Sequence, residues 1–191
     1  MAWSPEHKQQ SRERILMAAS RLFAARGFEQ TGIDQVMAAA DMTRGAFYSH
    51  FKSKAELYTE AMTWAGIRRF RYALGADSAD QPTVDSAPPS LNRLVETYLS
   101  EEHISGQHGG CPMAFLVTDI AQRDEQVRSC YTRLLKGMLG KMSEVAQVDR
   151  PQVLQNMVMM IGGVAIARAV NDPELQQELL NACKTGIQDN L

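Results

Sequence analysis

The stretch from Thr31 to Lys54, TGIDQVMAAADMTRGAFYSHFKSK, constrains the fold more than any other part of the chain. Its spacing predicts two short helices joined by a tight connection. The first opens at Thr31, an N-cap with Asp34 three residues on in a capping-box-like arrangement, and turns Ile33, Val36, Met37 and Ala40 inward. Asp41 and Met42 make the connection, Thr43 caps a second helix running from Arg44 to about His50, and Phe47 is that helix's buried anchor. Before this unit, Ile15, Leu16, Ala19, Leu22 and Phe23 lie on one face of a helix from about Lys8 to Arg26, which ends at Gly27 in a position suited to a left-handed cap. After it, Ser53 and Glu56 form a capping box for a long helix that continues to about Leu74. A short helix, a turn and a second short helix with an apolar inner face is the layout of a helix-turn-helix. The major groove of DNA, about 12 Å wide, admits one such helix, whose exposed residues then reach base edges.

Nothing in the remainder alternates as strands do. Residues 75–90 are rich in Pro, Ser, Asp and Gly without apolar period and read as a loop. Helices are expected at about 91–105, 112–122, 124–145, 151–170 and 173–187, with Pro112, Pro151 and Pro173 in first turns, where a missing N–H costs nothing. The class is therefore all-α, with about nine helices.

Charge sharpens the picture. The 191 residues carry a formal net charge of −2, which by itself points away from a polyanion partner. Residues 1–72, however, hold 11 Lys and Arg against 7 Asp and Glu, while residues 73–191 hold 9 against 15. A basic front of +4 and an acidic remainder of −6 suit a local nucleic-acid face on the first segment. The least polar stretch, Val153 to Ala167, contains Gln155 and Asn156 and is short of the roughly 20 apolar residues that a bilayer span requires. Met1 to Gln10 has no apolar h-region, so no signal peptide and a cytoplasmic location are expected. Three cysteines at 111, 130 and 183 do not make a disulfide framework. An enzyme reading, tempted by His108-Gly109-Gly110-Cys111, fails for want of a G-x-S-x-G, an H-E-x-x-H, a P-loop pattern or strands to position them, and no cofactor is implied.

The segments SRERILMAASRLFAARGF and TGIDQVMAAADMTRGAFYSHFKSKAEL, over about residues 11–65, resemble the TetR family of bacterial transcriptional regulators, including its F-Y-x-H-F core and the S-K-x-x-L that follows. The resemblance implies a DNA-binding domain over 8–68, its fourth helix shared with an effector-binding and dimerisation domain over 69–191. Carried over residue by residue, it implies that Arg44 reads bases and that Thr43 and Gly45 touch bases or backbone. Tyr48, His50 and Lys54, with Thr31 and Gly32 at the start of the second helix, would hold phosphates. Gly32 stands where the family commonly has Ser or Thr. The implied partners are a palindromic double-stranded operator, a small-molecule effector and a second copy of the chain. A repressor is the expected function, with an activator left open.

The resemblance also implies that the last two helices pair with a second subunit, through Met157, Met160, Ile161, Val164, Leu175 and Leu179. Gly162-Gly163 would let another helix come close, and a buried intrachain helix is the alternative. Trp64, Tyr98, Cys111, Met113, Phe115, Val117 and Tyr131 are candidates for lining an effector pocket by type, and plain core is the other reading of each. Phe70 and Leu135 are further candidates of the same kind. Cys111, before Pro112, would be an N-cap whose thiol is either activated by the helix end, as a sensor of oxidants or electrophiles, or packed as a small hydrophobe. The spacing of His103, His108 and Cys111 matches no standard metal-ligand set, and no metal is expected.

Overall fold

A computed structural model of the chain describes residues 5–75, 90–106 and 110–189. Within them lie eleven helices and no strand: α1 (Pro5–Arg26), α2 (Ile33–Ala39), α3 (Arg44–Phe47), α4 (Lys54–Leu74), α5 (Leu91–Tyr98), α6 (Glu101–Ser105), α7 (Pro112–Phe115), α8 (Val117–Ala121), α9 (Glu125–Ala146), α10 (Arg150–Ala169) and α11 (Pro173–Gln188). The excess over nine comes from two breaks. The segment expected as one helix over 91–105 divides because Ser100 adopts an extended conformation and its Oγ accepts from the His103 N–H at 3.2 Å, capping a new helix. The segment over 112–122 divides at Leu116, at φ −113° and ψ 3°. All but the ends of the expected loop 75–90 lie outside the described residues.

Short polar caps start most of the long helices. Ser53, Ser90, Asp124, Asp149 and Asp172 each accept from a backbone N–H of the first turn. Pro112, Pro151 and Pro173 all fall in the first turn of their helices. Gly27 closes α1 with φ 75°, and its N–H donates to Phe23 O at 2.8 Å.

The apolar stripe of α1 meets α4 and the helix-turn-helix in a core of Ile15, Leu16, Ala19, Phe23, Phe47 and Phe51, all buried. Tyr58 of α4 joins it edge-on, its ring 4.8 Å from Phe23 and 5.1 Å from Phe28. The same core continues without a break along the other side of α4, through Leu94, Tyr98, Met113, Leu134 and Met142. α4 therefore belongs to both halves. It packs tightly on α9 at Gly66, where a Cβ would stand 2.7 Å from Leu134 Cδ2.

α10 and α11 pack against each other on the last part of this core. Gly163 allows their close approach, since a Cβ there would meet Cys183 Sγ at 2.7 Å, whereas a Cβ at Gly162 would meet nothing within 4 Å. Met157, Met160 and Val164, expected at a subunit interface, are buried against the chain's own core. Ile161 and Leu179 are half-buried and Leu175 is exposed. The exposed apolar side chains of α10 are Leu154, Val158 and Ile166. α10 carries large apolar side chains on its exposed side as well as its buried one, so its period identifies a helix without telling which side turns inward.

Candidate nucleic-acid interface

The turn between α2 and α3 is built on Asp41, a non-glycine residue at φ 54° that short polar side chains tolerate. Met42 N–H closes it by donating to Met37 O at 2.9 Å. Phe47 and Phe51 are then driven into the core, their rings 5.8 Å apart. That anchoring aims the opposite face outward. Thr43, Arg44, Gly45 and Tyr48 are all exposed, Tyr48 to 60%. A Cβ at Gly45 would meet only Thr43 Oγ1, at 3.9 Å, so this backbone is open to close approach. α3 itself is short. Beyond Phe47 the chain continues as turns, with His50 and Phe51 N–H both donating to Phe47 O at 2.9 Å.

Thr43 is the N-cap by conformation, but its side chain makes no capping bond. For α2 the expected cap is displaced by one residue. Gly32 is the N-cap, and Gln35 Oε1 accepts from its N–H at 2.9 Å. Thr31 lies fully buried, its hydroxyl donating to Gly27 O at 2.8 Å and to Leu22 O at 3.3 Å. Its side chain ties α2 to the end of α1 and has no surface to turn toward a phosphate. Ser53 caps as expected, accepting from Glu56 N–H at 3.1 Å, while Glu56 reaches back to Lys52 N–H at 2.5 Å.

Arg44 pairs with Asp34, the acid that the spacing places in a capping-box position of α2. Its guanidinium donates to both Asp34 carboxylate oxygens, at 2.7 and 3.0 Å. The Tyr48 hydroxyl first, and then Asp34, favour the charged guanidinium and raise its pKa. The pair is exposed on both sides, so it orients Arg44 and adds little stability. Lys54 stacks its ammonium 4.3 Å from the Phe28 ring centroid and lies 3.4 Å from Glu29 O. His50 is half-buried, its Nδ1 without a partner, and burial first, with Lys8 and Arg12 next, lowers its pKa. Its ring is therefore largely neutral near pH 7.

Behind this face runs a junction that sequence spacing did not reveal. Asp119 of α8 accepts from the Tyr58 hydroxyl at 2.6 Å and from Phe28 N–H at 3.5 Å. Arg123 pairs with Glu29 and holds its guanidinium 5.1 Å from the Phe28 ring. The loop leading into α2, α4 and the α8–α9 region are thus bound together by charged and aromatic groups. These partners are 61 to 95 residues apart in sequence, so no local motif could have pointed to them.

The candidate effector residues are mostly core. Tyr98, Cys111 and Met113 are buried, and Phe115, Val117 and Tyr131 are half-buried. The Tyr131 hydroxyl donates to Met113 O at 3.0 Å. Cys111 is the N-cap of α7, as expected, but it is 1% exposed, with its Sγ 3.3 Å from the Tyr98 hydroxyl. Burial raises its thiol pKa, which is opposite to an activated thiolate. Gly110 has a packing reason: a Cβ there would collide with the Phe115 ring and lie 2.7 Å from Ala24 Cβ. His108 and Gly109 lie outside the described residues, and no group of three potential metal ligands occurs among the described ones. Of the candidates, Trp64 alone borders a groove of 370 Å³, while Phe70 borders a second of 420 Å³.

A short helix held by aromatic anchors, with an exposed Thr-Arg-Gly face, is the arrangement of a helix-turn-helix. Residues 15–61 belong, more narrowly, to the tetR family of bacterial regulatory proteins, whose family model they match. The HTH-type transcriptional regulator YxaF of Bacillus subtilis is 29% identical over 66% of this chain, which spans 64% of that protein's length. The HTH-type transcriptional repressor BepR of Brucella suis is 25% identical over 81% of this chain and 78% of its own. In fold, a TetR-family regulator from Rhodococcus matches with a TM-score of 0.69 over 91% of this chain and 96% of its own, at 17% identity. These relatives carry the names of transcriptional regulators. No helix among the described residues is long and apolar enough to cross a membrane.

Proposed function

We propose that the chain is a sequence-specific DNA-binding repressor, acting in the cytoplasm as a homodimer on a palindromic operator and released when a small effector binds. Residues 8–68 would read DNA and residues 69–191 would carry effector and partner. The observation that carries the reading is the exposed Thr43-Arg44-Gly45-Tyr48 face directly opposite the buried Phe47. In mechanism, Arg44 swings or slides from Asp34 onto a base edge, a guanine O6 and N7 pair being the best match to its fork. Tyr48, Lys54 and the backbone at Gly32 grip phosphates, with His50 as a neutral hydrogen-bonding partner. Thr31 supports this grip from below by fixing the start of α2.

The name of the Brucella relative favours a repressor over an activator. The Asp119–Arg123 junction supports ligand response, because movement of α4 or α8 would be felt at Phe28 and Lys54. Cys111 is left out of the effector role, since its thiol is buried and its pKa raised.

A gel shift against DNA upstream of the chain's own gene tests the reading. Arg44→Ala with Tyr48→Ala is expected to abolish a shift given by the wild type. Neutralising about three phosphates per subunit would give the dimer a log–log salt slope near −5. An unchanged shift in the double variant would refute the site assignment.

A further inference from the structure

A groove runs along the seam of α4 and α9 and extends to α1. It has two lobes that share Thr63, Cys130 and Arg133. The lobe toward α1, of 370 Å³, is polar, with Thr59, Gln126 and the Arg12–Glu60 ion pair. The other, of 420 Å³, is walled by Ile67, Phe70, Leu134 and Met138, with Arg71 beside them. Ile67 keeps 46% of its surface exposed, an apolar wall facing open space. The floor at Gly137 is bare, since a Cβ there would meet nothing within 4 Å.

The one carboxylate lining either lobe, Glu60, is already paired with Arg12. Arg133 is exposed, stands where the two lobes meet and has no carboxylate of the described residues within ion-pair distance. A guanidinium at the mouth of an apolar slot suits one kind of ligand: an apolar body ending in a planar oxyanion.

We propose that the groove binds an amphipathic organic anion, its carboxylate or equivalent forked by Arg133 and its apolar body between Ile67, Phe70, Leu134 and Met138. The proposal rests on the reading of the chain as a ligand-responsive regulator for its consequence, and on the groove alone for binding. α4 lines both lobes and opens directly after the DNA-reading segment, and α1 closes the polar lobe. A ligand that fits better with α4 displaced therefore weakens DNA binding, and DNA weakens the ligand by the same factor.

The test uses the full chain without DNA and decanoate as the probe, kept below its micelle concentration. Binding is followed by calorimetry and by the fluorescence of Trp64, which lines the polar lobe. One decanoate per chain is expected, with decylammonium and decanol weaker by about tenfold or more. Arg133→Gln should weaken decanoate by about tenfold and Arg133→Lys should recover most of it. Gly137→Leu should block the apolar lobe while favouring the helix. Failure to bind at millimolar concentration, equal binding of the ammonium probe, or indifference to both Arg133→Gln and Gly137→Leu would overturn the assignment. None of these results depends on an operator, so loss of the groove leaves the gel-shift reading standing and loss of the gel shift leaves the titration standing.

Discussion

His103 sits where burial and nearby positive charge both oppose protonation. It is buried in α6 with its ring 4.3 Å from Tyr98, and its Nε2 meets no partner. Burial first, then the positive charges of Arg69 and Arg168, push its pKa down to about 3. A depressed histidine pKa means that the fold binds the neutral ring. Stability is then complete above the unfolded value near 6.5 and falls as pH drops through the window toward 3, by up to about 1.4 kcal/mol per unit. His50, lowered in the same direction, adds a smaller slope of the same sign. Urea midpoints of the wild type should therefore decline between pH 7 and 5, and His103→Gln should remove most of that decline. Parallel curves for the two proteins would show that the buried imidazole does not govern acid sensitivity. Cys111 gives a second check at this scale. Buried and with a raised pKa, it should resist iodoacetamide in the native chain and label only on unfolding.

Among the elements, α8 matters out of proportion to its five residues, because Asp119 joins it to α4 and to the loop after α1. Asp119→Ala would strip the Tyr58 hydroxyl of its acceptor in a largely buried position, at a cost of about 2–3 kcal/mol. The expected readout is a lowered urea midpoint together with faster amide exchange around Phe28. Exchange confined to α8 would argue against a link between the halves. This junction was illegible in the sequence, whereas the elements on either side were not. Ser53 with Glu56, the three prolines and Gly27 are local signals, each satisfied by neighbours within a few residues, and they fall where spacing puts them. Thr31 misled because Thr precedes an apolar period just as a cap would, while the bond it makes runs backward to Gly27. The divisions at Ser100 and Leu116 were hidden by an apolar pattern that continues across them. Asp34 was visible as an acid in a first turn, but its partner Arg44 is on the next helix, and only the turn at Asp41 brings the two together.

For the whole molecule, the proposed dimer would have to set two reading heads one helical turn of DNA apart, about 34–36 Å. A second copy needs an apolar face, and the candidates have narrowed. Met157, Met160 and Val164 are spent on the chain's own core, which leaves Leu154, Val158 and Ile166 of α10, with Leu175 of α11. Val158 is the most exposed of these, at 69%, and the bare Gly162 one turn further on allows a partner helix to approach. In a two-fold interface each residue meets the same patch of its partner, so one substitution acts twice. Val158→Asp would place a pair of carboxylates in an apolar contact and raise the dimer dissociation constant by about a hundredfold, or ~3 kcal/mol. Light scattering should then show a single-chain mass at micromolar concentration, with operator affinity reduced in step because each half-site is held singly. Met160→Asp serves as the contrast: it breaks the intrachain core and should cost folding itself. If Val158→Asp stays dimeric and binds operator as the wild type does, the partner surface lies elsewhere and α10 does not set the spacing of the heads.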